Sequence, residues 1–159
     1  MTQTNWDRGA VAQIIEDKKT MPGALLPILH AIQNQIGWIP GEAVTDIAEA
    51  LNLSRAEVHG VISFYHYFLT TPPGKHVLYL CRAEACQAMG SENLEAHVRE
   101  KLGIDYHETT ADGQFTLEPM YCLGNCACSP SLMINRNVHG RVTPERFDAI
   151  ISELREYTA

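Results

Sequence analysis

No stretch of this 159-residue chain approaches the run of about 20 apolar residues that a membrane-spanning helix needs. Residues 1–10 are polar and lack the apolar centre of a secretory signal. The expectation is a cytoplasmic protein without a membrane span. Basic residues are few and scattered: 12 Lys and Arg stand against 19 Asp and Glu, for a formal net charge of -7. Nucleic acid is held largely by cations on phosphate, so no nucleic-acid partner is expected. The chain also lacks a P-loop, a dinucleotide-type glycine motif and a Ser/His/Asp set. On its own it should turn over no substrate. Repeats and low-complexity tracts are missing as well. What remains is 45% hydrophobic and 19% charged, an ordinary globular composition. The length suits one domain or two small ones, with a core that needs no disulfide staple.

The pattern along the chain changes period once. Residues 1–70 read as a helical bundle. Val11, Ile14 and Ile15 mark a short apolar stripe, and Leu25, Leu26, Leu29, Ile32 and Ile36 a longer one at helical spacing, ended by Gly37. Pro27 lies near its start, where a missing N–H does little harm. Pro40 should open a third helix with Val44, Ile47, Ala48 and Leu51 on one face and Asn52 as its stop. Ser54 with Glu57 forms a capping box for a fourth helix through Tyr65. The cluster from Thr70 to Gly74 breaks the pattern and marks a domain boundary. Residues 71–159 read as a strand (His76–Cys81), a helix (Ser91–Leu102, stopped by Gly103) and a hairpin turning at Asp112-Gly113 between strands near 106–111 and 114–121. Two further strands follow, at Leu132–Ile134 and Val138–Val142. Thr143 then caps a last helix opened by Pro144. Helices covering a sheet in this order make an α/β layout of thioredoxin size, so the whole chain is α+β in class.

The five cysteines carry the chemical signal. Five is an odd number, and in a reducing compartment clustered cysteines more often bind metal or do redox chemistry than form disulfides. Cys81 and Cys86 make a C-x4-C pair at the end of the first strand. Cys122 and Cys126 make a C-x3-C pair after another strand. Two pairs on two loops can converge on one centre with two thiolates for each iron. Four soft thiolates suit zinc or iron–sulfur. Structural zinc sites favour tighter C-x2-C knuckles, though wider ones occur. The plant-type ferredoxin spacing C-x4-C-x2-C fails here because Met89 holds the third position. A thiol-exchange protein would carry C-x-x-C, which is absent. Five unrelated buried cysteines remain the blandest alternative. Gly90 and Gly124 flank the pairs and would let backbone N–H groups approach the sulfurs. Cys128 is the odd cysteine: it reads as a small side chain packed near the centre, outside its ligand set, with a ligand swap as the sharper alternative.

With their context, these segments resemble a known family. Cys81-Arg-Ala-Glu-Ala-Cys86 and Cys122-Leu-Gly-Asn-Cys126 are similar to the thioredoxin-like [2Fe–2S] ferredoxins, which include the 24 kDa-type subunit of respiratory complex I (NADH:quinone oxidoreductase). Upstream, Leu25-Leu26-Pro27-Ile28-Leu29, Gly37-Trp38-Ile39-Pro40 and Gly60-Val61-Ile62-Ser63-Phe64-Tyr65 extend the likeness over roughly residues 20–157. Within the family, Cys126-Ala-Cys128-Ser-Pro130 resembles most the gamma subunit of NAD-dependent molybdenum formate dehydrogenases. The complex I subunit, which tends to Ala-Pro and lacks the extra cysteine, and a subunit of NAD-reducing hydrogenases are the alternatives. The resemblance implies one [2Fe–2S] cluster on Cys81, Cys86, Cys122 and Cys126, and a role in electron transfer. It implies a flavoprotein partner carrying FMN and an NAD site, and a larger molybdenum-containing subunit where formate would be oxidised. A zinc-stabilised adaptor without redox function is the reading from a different class.

The other candidates read plainly. No histidine lies within a cysteine motif, so a Rieske-type centre is not expected. His59, His66, His76, His97, His107 and His139 read as surface or satisfied polar groups, and His30 has no assigned role. Trp38 and Tyr65 read as bundle-packing groups. Arg82 is placed to offset cluster charge, to pair with an acidic partner or simply to lie in solvent.

Overall fold

A computed structural model describes residues 6–156. The chain separates into two compact units, Met1–Pro72 and Pro73–Ala159.

The first unit is helical: α1 (Arg8–Lys18), α2 (Leu25–Ile36), α3 (Ala43–Leu51) and α4 (Arg55–Phe64). Its core gathers one face from each helix, including Val11, Ile28, Leu29, Ile32, Ile47 and Val58. In α2 it is Ile28, Leu29 and Ile32 that are buried, while Leu25, Leu26 and Ile36 pack only partly against them. The stops at Gly37 and Asn52 hold, both in the left-handed conformation that ends a helix. The capping box at Ser54 is complete: Ser54 Oγ accepts from Glu57 N–H at 3.2 Å and Glu57 accepts from Ser54 N–H at 2.8 Å.

Two expectations for this unit need correcting. Pro40 does not open α3. The segment from Pro40 to Glu42 forms tight turns, with Ala43 N–H donating to Pro40 O, and the helix begins at Ala43. Tyr65 caps the end of α4 and is 42% exposed, so it is only partly a packing group. Its ring instead meets those of Phe64 and Phe68 edge-on. Buried Gln33 gave no signal in the sequence. Its amide donates to Tyr67 O at 2.5 Å and accepts from Leu69 N–H at 2.7 Å, tying the segment after α4 to α2.

Among the described residues the second unit is a five-stranded sheet with three α-helices. Its elements are β1 (His76–Cys81), α5 (Glu84–Ala88), α6 (Ser91–Leu102), β2 (Glu108–Thr109), β3 (Phe115–Met120), β4 (Leu132–Ile134), β5 (Asn137–His139) and α7 (Pro144–Glu156). The strand order is β2-β3-β1-β4-β5. Of these described strands only β1 and β3 run parallel, joined through the helices as a parallel pair requires. The central strands β1 and β3 are buried along nearly their whole length. Leu78, Leu80, Phe115, Leu117 and Leu132 meet Leu94 and Val98 of α6 and Phe147 and Ile151 of α7 in a second core.

The sequence expectations erred here at the edges. The hairpin before β3 exists, but its first strand is only two residues long, with His107 at positive φ just before it. β5 ends at His139 and does not reach Val142. Arg141, also at positive φ, turns the chain away and gives its N–H to Cys128 O at 2.6 Å. The short helix α5 had no counterpart in the sequence reading. Thr143 caps α7 as expected, accepting from Arg146 N–H at 3.2 Å. No helix among the described residues is long and apolar enough to cross a membrane.

Candidate metal centre

Sheet register brings the two cysteine pairs together. β1 lies parallel to β3 with Cys81 opposite Met120, so the two chains leave the sheet side by side at their carboxyl ends. Sites in open sheets form at such ends. Arg82 N–H donates to Met120 O at 2.7 Å and Cys81 N–H to Ser131 O at 3.1 Å, which pins the exit of β1 between the segments on either side. Cys122 follows β3 by two residues, and Cys126 starts a single 3-10 turn, Cys126–Cys128. The first pair does not sit wholly at a strand end, because Cys86 rides on α5. Cys81 and Cys86 are buried, Cys122 and Cys126 exposed, and Cys128 half-buried.

The sulfurs interact within and between the pairs. Cys122 Sγ and Cys126 Sγ are 3.9 Å apart. Gly124 N–H donates to Cys122 Sγ at 3.3 Å, and the glycine's φ of 72° aims that amide where another residue would be strained. Gly90 plays no such part. It precedes α6, and its N–H goes to Gln87 O. Burial pushes the Cys81 thiol up, and Cys86 adds to the effect, against N–H groups of Ala83 and Leu123 that favour the thiolate. The Leu123 amide links Cys81 to the second pair. At Cys86, burial also acts upward, but hydrogen bonds with Ser129, Cys81 and Ser131 outweigh it and hold the thiol below its ordinary range. Cys126 is raised by its hydrogen bond with Cys122 and by the charges of Cys122 and Cys86.

These mutual effects bear on what the thiols fit. Crowded thiolates repel one another unless a cationic centre lies among them. Soft sulfur donors select zinc, copper(I) or iron–sulfur centres. Among the described residues, no three Cys, His, Asp or Glu side chains gather closely enough for a single metal ion. The thiols meet two by two, a donor set that fits a two-iron cluster with two sulfurs for each iron.

Other sequence candidates fall elsewhere. Arg82 is engaged internally: Nε pairs with Glu95 at 3.0 Å and the guanidinium lies over the Tyr106 ring. His97 bonds Asp148 and His107 bonds Glu118, as satisfied polar groups. His76 is buried, with Asn135 Nδ2 donating to its Nδ1. Three residues that shape the site were given no role in the sequence, although Asn125 and Ser129 lie within the cysteine segments. Ser129 donates to Cys126 O at 2.8 Å, Asn125 O accepts from Cys128 N–H, and Gly140 leaves room for Cys128.

Residues 11–155 match the family model described as thioredoxin-like [2Fe–2S] ferredoxin. The chain belongs to that family. It therefore carries one [2Fe–2S] cluster. Among its relatives, an NADH-quinone oxidoreductase subunit of Pseudomonas aeruginosa is 35% identical over 139 residues, 87% of this chain and 84% of the relative. The HndA subunit of the NADP-reducing hydrogenase of Solidesulfovibrio fructosivorans is 34% identical over 90% of this chain and 84% of its own. In three dimensions, an NAD+-reducing [NiFe]-hydrogenase superposes with a TM-score of 0.72 and 26% identity over 91% of this chain. The match covers 24% of that hydrogenase chain.

Proposed function

We propose that this chain is the electron-transfer subunit of an NAD-linked oxidoreductase, holding its [2Fe–2S] cluster on Cys81, Cys86, Cys122 and Cys126. The observation that carries the reading is the convergence of two cysteine pairs at the carboxyl ends of the parallel strands β1 and β3. An iron–sulfur cluster supplies one-electron chemistry. The chain's own residues bind it, limit its solvent contact on the buried Cys81/Cys86 side and direct N–H groups at its sulfurs. Cys128 is outside the ligand set.

A carrier must bring its cluster close to the next redox centre. Met89 and Tyr121 expose large apolar side chains beside the cysteine segments. Met89 also borders an open hollow of about 480 Å³ shared with Cys126, Ala127, Ser129 and Pro130. An apolar rim of this kind suits a protein partner. The partner proposed is a flavoprotein subunit carrying FMN and an NAD site, in the cytoplasm.

The finer reading is the gamma subunit of a molybdenum formate dehydrogenase. It rests on the segment Cys126-Ala127-Cys128-Ser129-Pro130. The second reading, a subunit of an NADH:quinone oxidoreductase or an NAD-reducing hydrogenase, is favoured by the relatives and by the superposed hydrogenase chain. Affinity purification of the full chain from its native cells tests both. A red-brown complex with an FMN protein, reducing NAD+ with formate, supports the finer reading. NAD+ reduction with hydrogen, or NADH oxidation with quinone, replaces it by the second. A colourless zinc-containing chain without a flavoprotein would overturn electron transfer altogether.

A further inference from the structure

Ser129 touches both cysteine pairs with one hydroxyl. It is buried, its Oγ lies 3.5 Å from Cys86 Sγ, and it donates to Cys126 O at 2.8 Å. In this arrangement the Cys86 thiol is the donor toward Ser129. A thiolate has no proton to give and can only accept. Once Cys86 is a metal-bound thiolate, the single serine proton has two acceptors, the Cys126 carbonyl and the Cys86 sulfur. A hydrogen bond to an ionised acceptor is roughly twice as strong as one to a neutral group. Ser129 and Cys86 are both buried, so water competes little for the sulfur.

The balance shifts with oxidation state. An electron added to the cluster increases the negative charge carried by its thiolates, and an O–H donor at 3.5 Å gains from that increase. An interaction that is stronger in the reduced state favours reduction. Hydrogen bonds to the sulfurs are among the influences that set the potential of such centres. Ser131, also buried, faces Cys86 as well and has a further task. Its hydroxyl accepts from Asn125 Nδ2 at 3.2 Å and faces the carbonyls of Asn125 and Cys128 at 3.5 and 3.4 Å, so it holds the loop.

We infer that the Ser129 hydroxyl is a positioning residue that acts through Cys86 to raise the reduction potential of the cluster. The inference rests on Cys86 being a cluster ligand, as proposed above.

The test is a potentiometric titration of the full chain, purified anaerobically with its cluster and followed by electron paramagnetic resonance of the reduced state. Ser129→Ala should keep the iron content and absorption spectrum but shift the potential negative. The expected shift is up to about tenfold in the reduction equilibrium, which is about 59 mV for one electron. Ser129→Thr, which restores the hydroxyl, should return the wild-type potential, while Ser129→Val, of the same shape without it, should follow Ala. A full cluster with unchanged potential in Ser129→Ala and Ser129→Val overturns the inference, as does an equal shift in Thr and Val. If all three variants fold but take up no iron, Ser129 serves assembly and not tuning, which also overturns it. A Cys86→Ser variant with a wild-type spectrum and potential would remove the ligand reading itself, an outcome distinct from the others.

Discussion

Gly140→Ala should loosen the cysteine loop from a distance in sequence. A Cβ placed on Gly140 would lie 2.6 Å from Asn125 Nδ2, 2.7 Å from Cys128 Cβ and 2.8 Å from Cys128 O. Ordinary contact begins at 3.4 Å, so the Cys128 atoms must retreat by about 0.7 Å (3.4 less 2.7) or the 140–141 turn must yield. Only the Asn125 amide can rotate away. The other two atoms are fixed to the backbone of the 3-10 turn that starts at Cys126. The turn at Gly140 is held in place too, since Arg141 N–H donates to Cys128 O and Arg146 Nη1 donates to Gly140 O at 2.8 Å. Overpacking at such a site costs about 1–3 kcal/mol. For a chain of this size each kcal/mol lowers Tm by about 2–4 °C. The assay is thermal unfolding of the anaerobically purified protein, paired with the rate at which the cluster bleaches under a ferrous chelator. Gly140→Ala should unfold earlier and bleach faster. Gly60→Ala is the control: its Cβ meets nothing within 4 Å inside α4, and alanine there should stabilise by about 0.5–1 kcal/mol. A Gly140→Ala protein that matches wild type in both Tm and bleaching would refute the reasoning, because the close approach would then be too soft to matter.

Cys122→Ser should lose most of the cluster absorption, since hydroxyl is a poorer ligand for these irons, whereas Cys128→Ser should keep it; equal loss in both would show the ligand set to be wrong. Burial, aided by the charge of Lys75, holds the His76 imidazole below its ordinary pKa of 6.5, so the folded state resists protonation more than the unfolded one. Stability from this source is complete above the unfolded value and is lost as the pH falls through and below it, so chemical denaturation at about pH 7.5 and about pH 5.5 should show a smaller drop for His76→Gln than for wild type. An equal drop in both would place the effect on other histidines. Ser54→Ala should destabilise the helical unit by about 1 kcal/mol through loss of the capping box, measured by denaturant unfolding, and an unchanged midpoint would mean the helix end frays at no cost.

Much of this architecture was legible because the signals were local. The capping box at Ser54, the glycine stop at Gly37 and the short apolar run His76–Cys81 each depend on neighbours a few residues away. So did the spacing of each cysteine pair. What stayed hidden depends on contacts between distant segments. Pro40 looked like a helix opener, yet the chain makes a turn there before α3 begins. The helix α5 is one short turn without a periodic face, so only the fold around Cys86 reveals it. β5 read too long because Val142 is apolar, but Val142 is buried in the sheet unit's core without belonging to a strand. The contacts of Ser129, Asn125 and Gly140 were invisible for the same reason. A serine beside a thiol, or a glycine beneath a turn, leaves no spacing in the sequence.

The register of one strand pair explains how two local motifs come to lie side by side. If β3 slipped by one residue against β1, Cys81 would no longer lie opposite Met120, and every side chain of β3 would change face. Phe115 and Leu117, both fully buried, forbid that slip. The site is therefore fixed by core residues that touch no sulfur. The resulting site is lopsided, with Cys81 and Cys86 buried and Cys122 and Cys126 exposed. On the reading proposed above, the exposed pair is the side from which an electron has least protein to cross. A partner seated over Met89 and Tyr121 would meet the cluster on that side. The buried pair, lying against Ser129 and the strand ends, would then be the side through which the protein adjusts the potential.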